Sequence, residues 1–396
     1  MLILPIGITI LGGLLIRSTQ LHLHKIDWWE HWITGGMGLV LALMIARMRY
    51  EFLIQWHWVL YGLGNILLIL VRFIGIGKLE KGAQSWINIF GFHIQPSEFA
   101  KLVVIITLAA LLHSNPANTL PAVFRVLAVA SVPWFIVFTE PDLGSSLVFG
   151  AIVLGMLYWG NARISWLLLL VSPLVSAIIF NVYLPGWLAW TALLMVLAWR
   201  SLPWGFFGSI GAFIVSIASG KIGIILWQLL KTYQKDRLIV FLAPEKYPKD
   251  IGYQLLESMK AIGSGGIHGQ GLFQGPQTQL DFVPEQHTDF IFSALGEELG
   301  LIGSVGLLLA FWLICWRLIV IAKSSKDNFG SLLAAGVLSM IIFQVIVNIS
   351  MTVGLAPITG ITLPWLSYGR SSLLVNFMAI GLVESVANYR QNKLPY

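Results

Sequence analysis

Twelve apolar stretches, most of them near the length of a bilayer-spanning helix, set the limits on what this chain can become: 2–16, 32–48, 52–72, 98–113, 121–139, 143–160, 164–184, 187–201, 204–227, 290–316, 330–352 and 371–389. A helix needs about 20 apolar residues to cross the hydrocarbon core, or somewhat fewer with interfacial help. Backbone that faces lipid must satisfy its hydrogen bonds internally, so a chain of this pattern folds as helices. The expected class is all-α: a polytopic membrane bundle forming a single membrane domain over 1–396. The stretch 187–201 is short enough to be re-entrant. A soluble alternative fails on charge: only 11% of the 396 residues are charged and 57% are hydrophobic, where soluble domains carry about 25% charged residues. The 17 tryptophans suit a chain that meets the water–lipid interface many times. The first stretch has no basic leader or small-residue cleavage site, so it reads as a retained helix and not a signal peptide. The net charge of +6 is scattered without a basic stripe, which argues against nucleic acid as a partner. The single cysteine, Cys315, lies in an apolar run and reads as an inert thiol, excluding a disulfide framework and a cysteine metal site.

Lysine and arginine near the helix ends give the orientation. With the first residue inside, Arg47, Arg49, Arg125, Arg163, Arg200, Arg317, Lys323, Lys326, Arg390 and Lys393 fall on the cytoplasmic side. The short outer loops hold fewer: Arg17, Lys25, Arg72, Lys78, Lys81 and Arg370. Both termini are therefore expected in the cytoplasm. The segment 229–288 breaks the apolar pattern at length and falls outside on this topology. A polar insertion of that size is where function is expected.

Several residues there and at the helix ends could carry chemistry. The glycines 252, 263, 265, 266, 269, 271 and 275 fit neither a P-loop nor a dinucleotide fingerprint. They serve either turns that need positive φ or a backbone that presents N–H groups to an anion. In Val283-Pro-Glu-Gln-His-Thr-Asp-Phe290, Thr288 reads as a helix N-cap, which puts Asp289 in the first turn. Asp289 either complements the helix dipole or acts as a general base or cation ligand where polar loop meets bilayer. Glu285 and His287 are near enough in sequence to orient it or to share a cation. Glu98 and Lys101 share a helix face, forming either a structural ion pair or a polar pocket. Glu140 and Asp142 break an apolar run at the outer end of two helices, and Arg237 either binds phosphate or anchors the interface. No histidine spacing suggests zinc.

Taken together, these motifs resemble the SEDS family (shape, elongation, division and sporulation), closest to its RodA branch. The resemblance rests on Gly82-Ala-Gln-Ser-Trp86, Gln95-Pro-Ser-Glu98, Pro141-Asp-Leu-Gly144, Tyr233-Gln-x-x-Arg237, Gly252-Tyr-Gln254, Ala261-Ile-Gly-Ser-Gly-Gly266, Pro284-Glu-x-His-Thr-Asp-Phe290, Glu297-Glu-Leu-Gly300 and Leu363-Pro-x-x-Ser-Tyr-Gly369, in family order over nearly the whole chain. Gln277-Thr-Gln279 and Phe282-Val-Pro284 bring it nearest to that branch. The resemblance implies an inverting peptidoglycan glycosyltransferase of the bacterial cytoplasmic membrane that polymerises lipid II on the outer face during cell elongation. It implies Asp289 as the catalytic residue, with Arg237, Glu98, Lys101, Asp142, Glu285, His287, Gln279 and Arg370 as candidate substrate contacts. A divalent cation (Mg or Mn) is a candidate cofactor. A class B penicillin-binding transpeptidase and other elongation-complex proteins are the implied partners. A lipid II flippase or a non-catalytic scaffold of the elongation or division machinery is the rival reading. Ser85 stands where many members carry Arg, and Arg370 where a Gly is usual. The family core has ten spans, so two are surplus, expected within about 185–227.

Overall fold

The computed structural model describes residues 1–20, 27–75, 85–89, 92–140, 142–229, 235, 240–241, 251–280 and 282–390. Arg237, much of the first half of the 229–288 segment, and parts of the Gly82–Trp86 and Tyr233–Arg237 motifs lie outside the described residues.

Each of the twelve apolar stretches is helical. They form α1 (Ile3–Thr19), α2 (Trp29–Arg47), α3 (Phe52–Ile74), α4 (Pro96–Ser114), α5 (Leu120–Thr139), α6 (Leu143–Trp159), α7 (Ile164–Val182), α8 (Leu184–Ser201), α9 (Gly205–Leu229), α12 (Ile291–Ser324), α13 (Asn328–Thr352) and α14 (Arg370–Asn388). Between α9 and α12 lie α10 (Ile251–Ser264) and the single-turn α11 (Pro276–Gln279). A short antiparallel hairpin, β1 (Ile87–Ile89) and β2 (Phe92–Ile94), precedes α4. Among the described residues nine helices are long and apolar enough to cross a membrane, while α1 and α6 are shorter apolar helices. The chain is a multi-pass, predominantly helical membrane protein.

Local chemistry sets the helix starts. Asp142 caps α6 by accepting from Ser145 N at 2.9 Å, and Asp327 caps α13 by accepting from Gly330 N at 2.8 Å. Pro96 opens α4 at a position where its missing N–H costs nothing. The centre of the bundle is α4, α13 and α14, which are buried over most of their length, whereas α3, α7 and α9 bury little of theirs. Small residues let helix backbones close up, as membrane helices without a hydrophobic driving force require. A Cβ at Gly381 would meet the backbone of Ala42, and one at Gly38 would meet the Phe377 ring, so α2 and α14 lie tightly together. The helices α7, α8 and α9 pack chiefly on one another as a peripheral three-helix unit. Its interior holds a small hydroxyl cluster in which Ser216 joins Thr191 at 2.8 Å and Ser176 at 3.2 Å.

The helix expected to end near 316 runs on to Ser324 and breaks at Gly300, where φ is 64° and ψ −158°. That break explains the glycines of the preceding segment. It frees the carbonyls of Glu297 and Glu298, which accept from Gln270 N at 2.9 Å and Gly271 N at 3.0 Å. It also frees the amides of Leu301 and Ile302, which donate to the carbonyls of Gly266 and Ile267. The loop thus satisfies backbone groups that would otherwise be orphaned. Of the two readings of these glycines, the anion-binding one is excluded for Gly271, because its N–H already donates to the Glu298 carbonyl of α12.

Candidate active site

Several of the polar residues that interrupt the apolar pattern are wired into a closed circuit. The backbone carbonyl of Asp289 accepts from Asn348 Nδ2 at 2.8 Å, and the same amide donates to the Ile361 carbonyl at 2.7 Å. Asn348, fully buried on α13, thereby fixes the turn at 284–290 against the segment 353–369. That segment lies on the first turn of α6, where a Cβ at Gly144 would meet the Thr359 carbonyl and the Ile361 side chain. Asp142 spends one oxygen on the α6 cap and accepts from Gln95 Nε2 with the other, at 3.1 Å. Gln95 N in turn donates to Ser371 Oγ on α14 at 2.9 Å. Beside Ser371, the Arg370 guanidinium pairs with Glu30 on α2, which also accepts from the Tyr368 hydroxyl at 2.7 Å. Tyr368 N donates to the His287 carbonyl at 2.9 Å, and the circuit closes on the turn that carries Asp289.

One expectation fails in this turn. Thr288 does not cap α12, whose first residue is Ile291 after an uncapped Phe290. Glu285 takes a positive φ of 54°, and its carbonyl accepts from both Thr288 N and Thr288 Oγ1 at 3.1 Å. The Thr288 hydroxyl is spent inside the turn, so Asp289 sits before the helix and not in its first turn. His287 Nε2 lies 3.9 Å from Glu285 Oε2.

Glu98 and Lys101 face inward on the first turns of α4, as their spacing implies, and make an ion pair of 2.6 Å. Both are buried, Lys101 at 2% exposure. Two charges withdrawn from water remain there only with close partners. Glu98 Oε2 has no hydrogen-bond partner among the described residues. Glu140, at the end of α5, is buried with Oε1 unpartnered among the described residues. Burial, with the Asp142 charge alongside, pushes its carboxyl up to about 8 against the opposing pull of Arg72. The Tyr368 hydroxyl is raised to about 12 by burial and by its bond to Glu30. Gln279 is turned to the loop's own wiring, donating to the Phe273 carbonyl. Glu297 does the same work for α11, accepting from the amides of Gln277 and Thr278 and from the Thr278 hydroxyl at 2.8, 2.8 and 2.6 Å. Among the described residues no group of three or more His, Cys, Asp or Glu side chains could hold a metal ion.

Glu30, Asn348, Tyr368 and Ser371 hold the circuit together, and sequence reasoning assigned none of them a role. Asn348 had a usable signal, an amide inside an otherwise apolar helix, where polar groups join elements. The Glu30–Arg370 pair, 340 positions apart, had none.

A family model described as cell cycle protein, FtsW/RodA/SpoVE, matches residues 2–190 and 186–392. The stage V sporulation protein E of Bacillus subtilis is 34% identical over 360 residues, covering 90% of this chain and 85% of that one. The peptidoglycan glycosyltransferase RodA of Treponema pallidum is 32% identical over 430 residues, covering 99% and 97%. Among solved structures, a chain from a study of how a peptidoglycan synthase complex coordinates polymerization and crosslinking superposes with a TM-score of 0.73. It is 26% identical, with 98% of this chain and 97% of that chain covered.

Proposed function

The chain belongs to the FtsW/RodA/SpoVE family of cell cycle proteins, and from that membership we infer that it is a peptidoglycan glycosyltransferase, acting in the multi-pass membrane domain described above. The observation that carries this is the family match along both halves of the chain, with relatives named for that activity aligned over nine-tenths or more of it. Its substrate is lipid II, the disaccharide peptide on a polyprenyl pyrophosphate. The circuit at the outer end of the bundle is the site, with both termini in the cytoplasm and the 229–288 segment outside. Asp289 is the general base. Its carboxylate takes the proton of the acceptor sugar hydroxyl as that oxygen attacks the anomeric carbon of the donor. The bond to pyrophosphate breaks, its electron pair leaves with the carrier, and the configuration inverts. Because an anion departs, fixed positive charge lowers the barrier; Lys101 and Arg370, each held by a carboxylate, and Arg237 supply it. Glu98, Asp142, Glu285, His287 and Gln279 contact or frame the substrate. A class B penicillin-binding transpeptidase is the partner that crosslinks the product.

The test is polymerisation of lipid II in detergent by purified wild type and Asp289→Asn. Wild type makes glycan chains, and the variant, which keeps the shape and loses the base, falls by about 10²–10⁴ in rate. Near-normal turnover by the variant removes Asp289 from the role. Failure of wild type to make chains, with lipid II crossing vesicle membranes instead, overturns the activity.

A further inference from the structure

The bundle has a second feature one helix length from the circuit: α6 leaves the circuit at Asp142 and ends at Trp159, just before the start of α7. There a cleft of about 600 Å³ opens between the start of α7 and the last turns of α8. Its long wall is apolar, formed by Leu193, Val196 and Leu197, and Arg163, Arg200, Ser165 and Ser201 line it too. Leu193 and Val196 are more than half exposed, so this wall faces the surroundings of the bundle, which for these helices is lipid. Arg163 is held in place: it donates to the Ser201 carbonyl at 3.4 Å and lies over the Trp166 ring, whose Nε1 donates to the same carbonyl at 3.1 Å. Neither Arg163 nor Arg200 has a carboxylate within ion-pair distance among the described residues, and Arg200 is exposed.

We propose that this cleft binds one anionic phospholipid, its phosphate between Arg163 and Arg200 and an acyl chain along Leu193, Val196 and Leu197. Charge complementarity selects the headgroup, because two guanidiniums without a carboxylate partner at a membrane interface favour a headgroup of net negative charge over a zwitterion, whose phosphate is offset by its own cation. Length selects the tail. From Leu193 to Arg200 an α-helix rises roughly 10 Å, most of the roughly 15 Å depth of one leaflet's hydrocarbon. The hydroxyls of Ser165 and Ser201 stand at the polar end, within the same cleft. The lipid belongs to the leaflet opposite the candidate active site and would brace α8 against α7. None of this depends on the activity of the chain.

The experiment uses full-length protein in mixed micelles with equal amounts of phosphatidylglycerol and phosphatidylcholine, and counts retained lipids by native mass spectrometry. Wild type is expected to keep one phosphatidylglycerol in preference. Arg163→Gln and Arg200→Gln should each weaken retention about fivefold, while Arg163→Lys, Arg200→Lys keeps most of it. Leu197→Trp fills the apolar part of the cleft and leaves both arginines in place. It must also lower retention, and it decides the matter should the glutamine variants not fold. Equal retention of the two lipids by wild type, or an undiminished preference in Leu197→Trp and the double Gln variant, overturns the proposal.

Discussion

A carboxylate buried beside another carboxylate gives up its proton late, and Glu140 is placed to make the protein feel it. Its ordinary value is 4.5 and its folded value about 8. Between those limits the folded protein holds a proton that the unfolded chain has lost, so stability falls as pH rises through that window and levels off above it. Glu140→Gln should flatten thermal stability measured from pH 5 to 9 and be the more stable protein above pH 8; parallel profiles for the two proteins would show that Glu140 is ionised in the fold. Arg370 is a different case, because its guanidinium is already engaged by Glu30. Removing the arginine alone strands Glu30 in a half-buried position, so the Glu30→Gln, Arg370→Gln double variant should cost less than the sum of the two single variants. A double-mutant cycle on thermal stability should give a coupling of about 0.5–3 kcal/mol, and a coupling of zero would mean that the contact does not help close the circuit. This pair marks where single-sequence reasoning stops. The charge at 370 stood out because it stands where a Gly is usual, but nothing in one sequence says which acid it meets. Glu98 and Lys101 could be paired from sequence because three residues of helix put them on one face.

At the scale of elements, hydropathy located the helices and backbone accounting explains what it missed. All twelve apolar stretches became helices because the lipid environment leaves them no alternative. The break in α12 was hidden, since a single glycine among Glu297, Glu298 and Leu299 does not disturb an apolar average. Thr288 misled because its hydroxyl can serve a turn as well as a helix end. The break itself is testable. Gly300 sits at positive φ, and a Cβ there would press on Gly269 N and on the Ile267 carbonyl. Gly300→Ala should therefore lower stability by about 1–3 kcal/mol or more. Gly306→Ala, six residues on with nothing near its Cβ, is the matched control and should be close to neutral. Equal denaturation midpoints for the two variants would mean that the loop does not hold the break.

For the molecule as a whole, the basic residues near the helix ends carry the proposed disposition across the membrane, and labelling tests it. In a Cys315→Ser background, Ile267→Cys, exposed in the segment before α12, should react with an impermeant maleimide in intact cells. Lys326→Cys, in the connection between α12 and α13, should react only after the cells are opened. The reverse pattern would invert the protein in the bilayer. The circuit also has a consequence in time. Glu30 and Gln95 emerge early from the ribosome, whereas Tyr368, Arg370 and Ser371, which they bind, follow after α13. The last of these helices must then slide in against α2, where Gly38 and Gly381 leave room for it. Until it does, the carboxylate at Asp289 stands on a turn with one side unfastened. A ribosome that stalls before α14 therefore leaves a nascent chain whose circuit is open, and, with the circuit as the proposed site, the order of synthesis itself keeps such copies from acting on the cell's precursor pool.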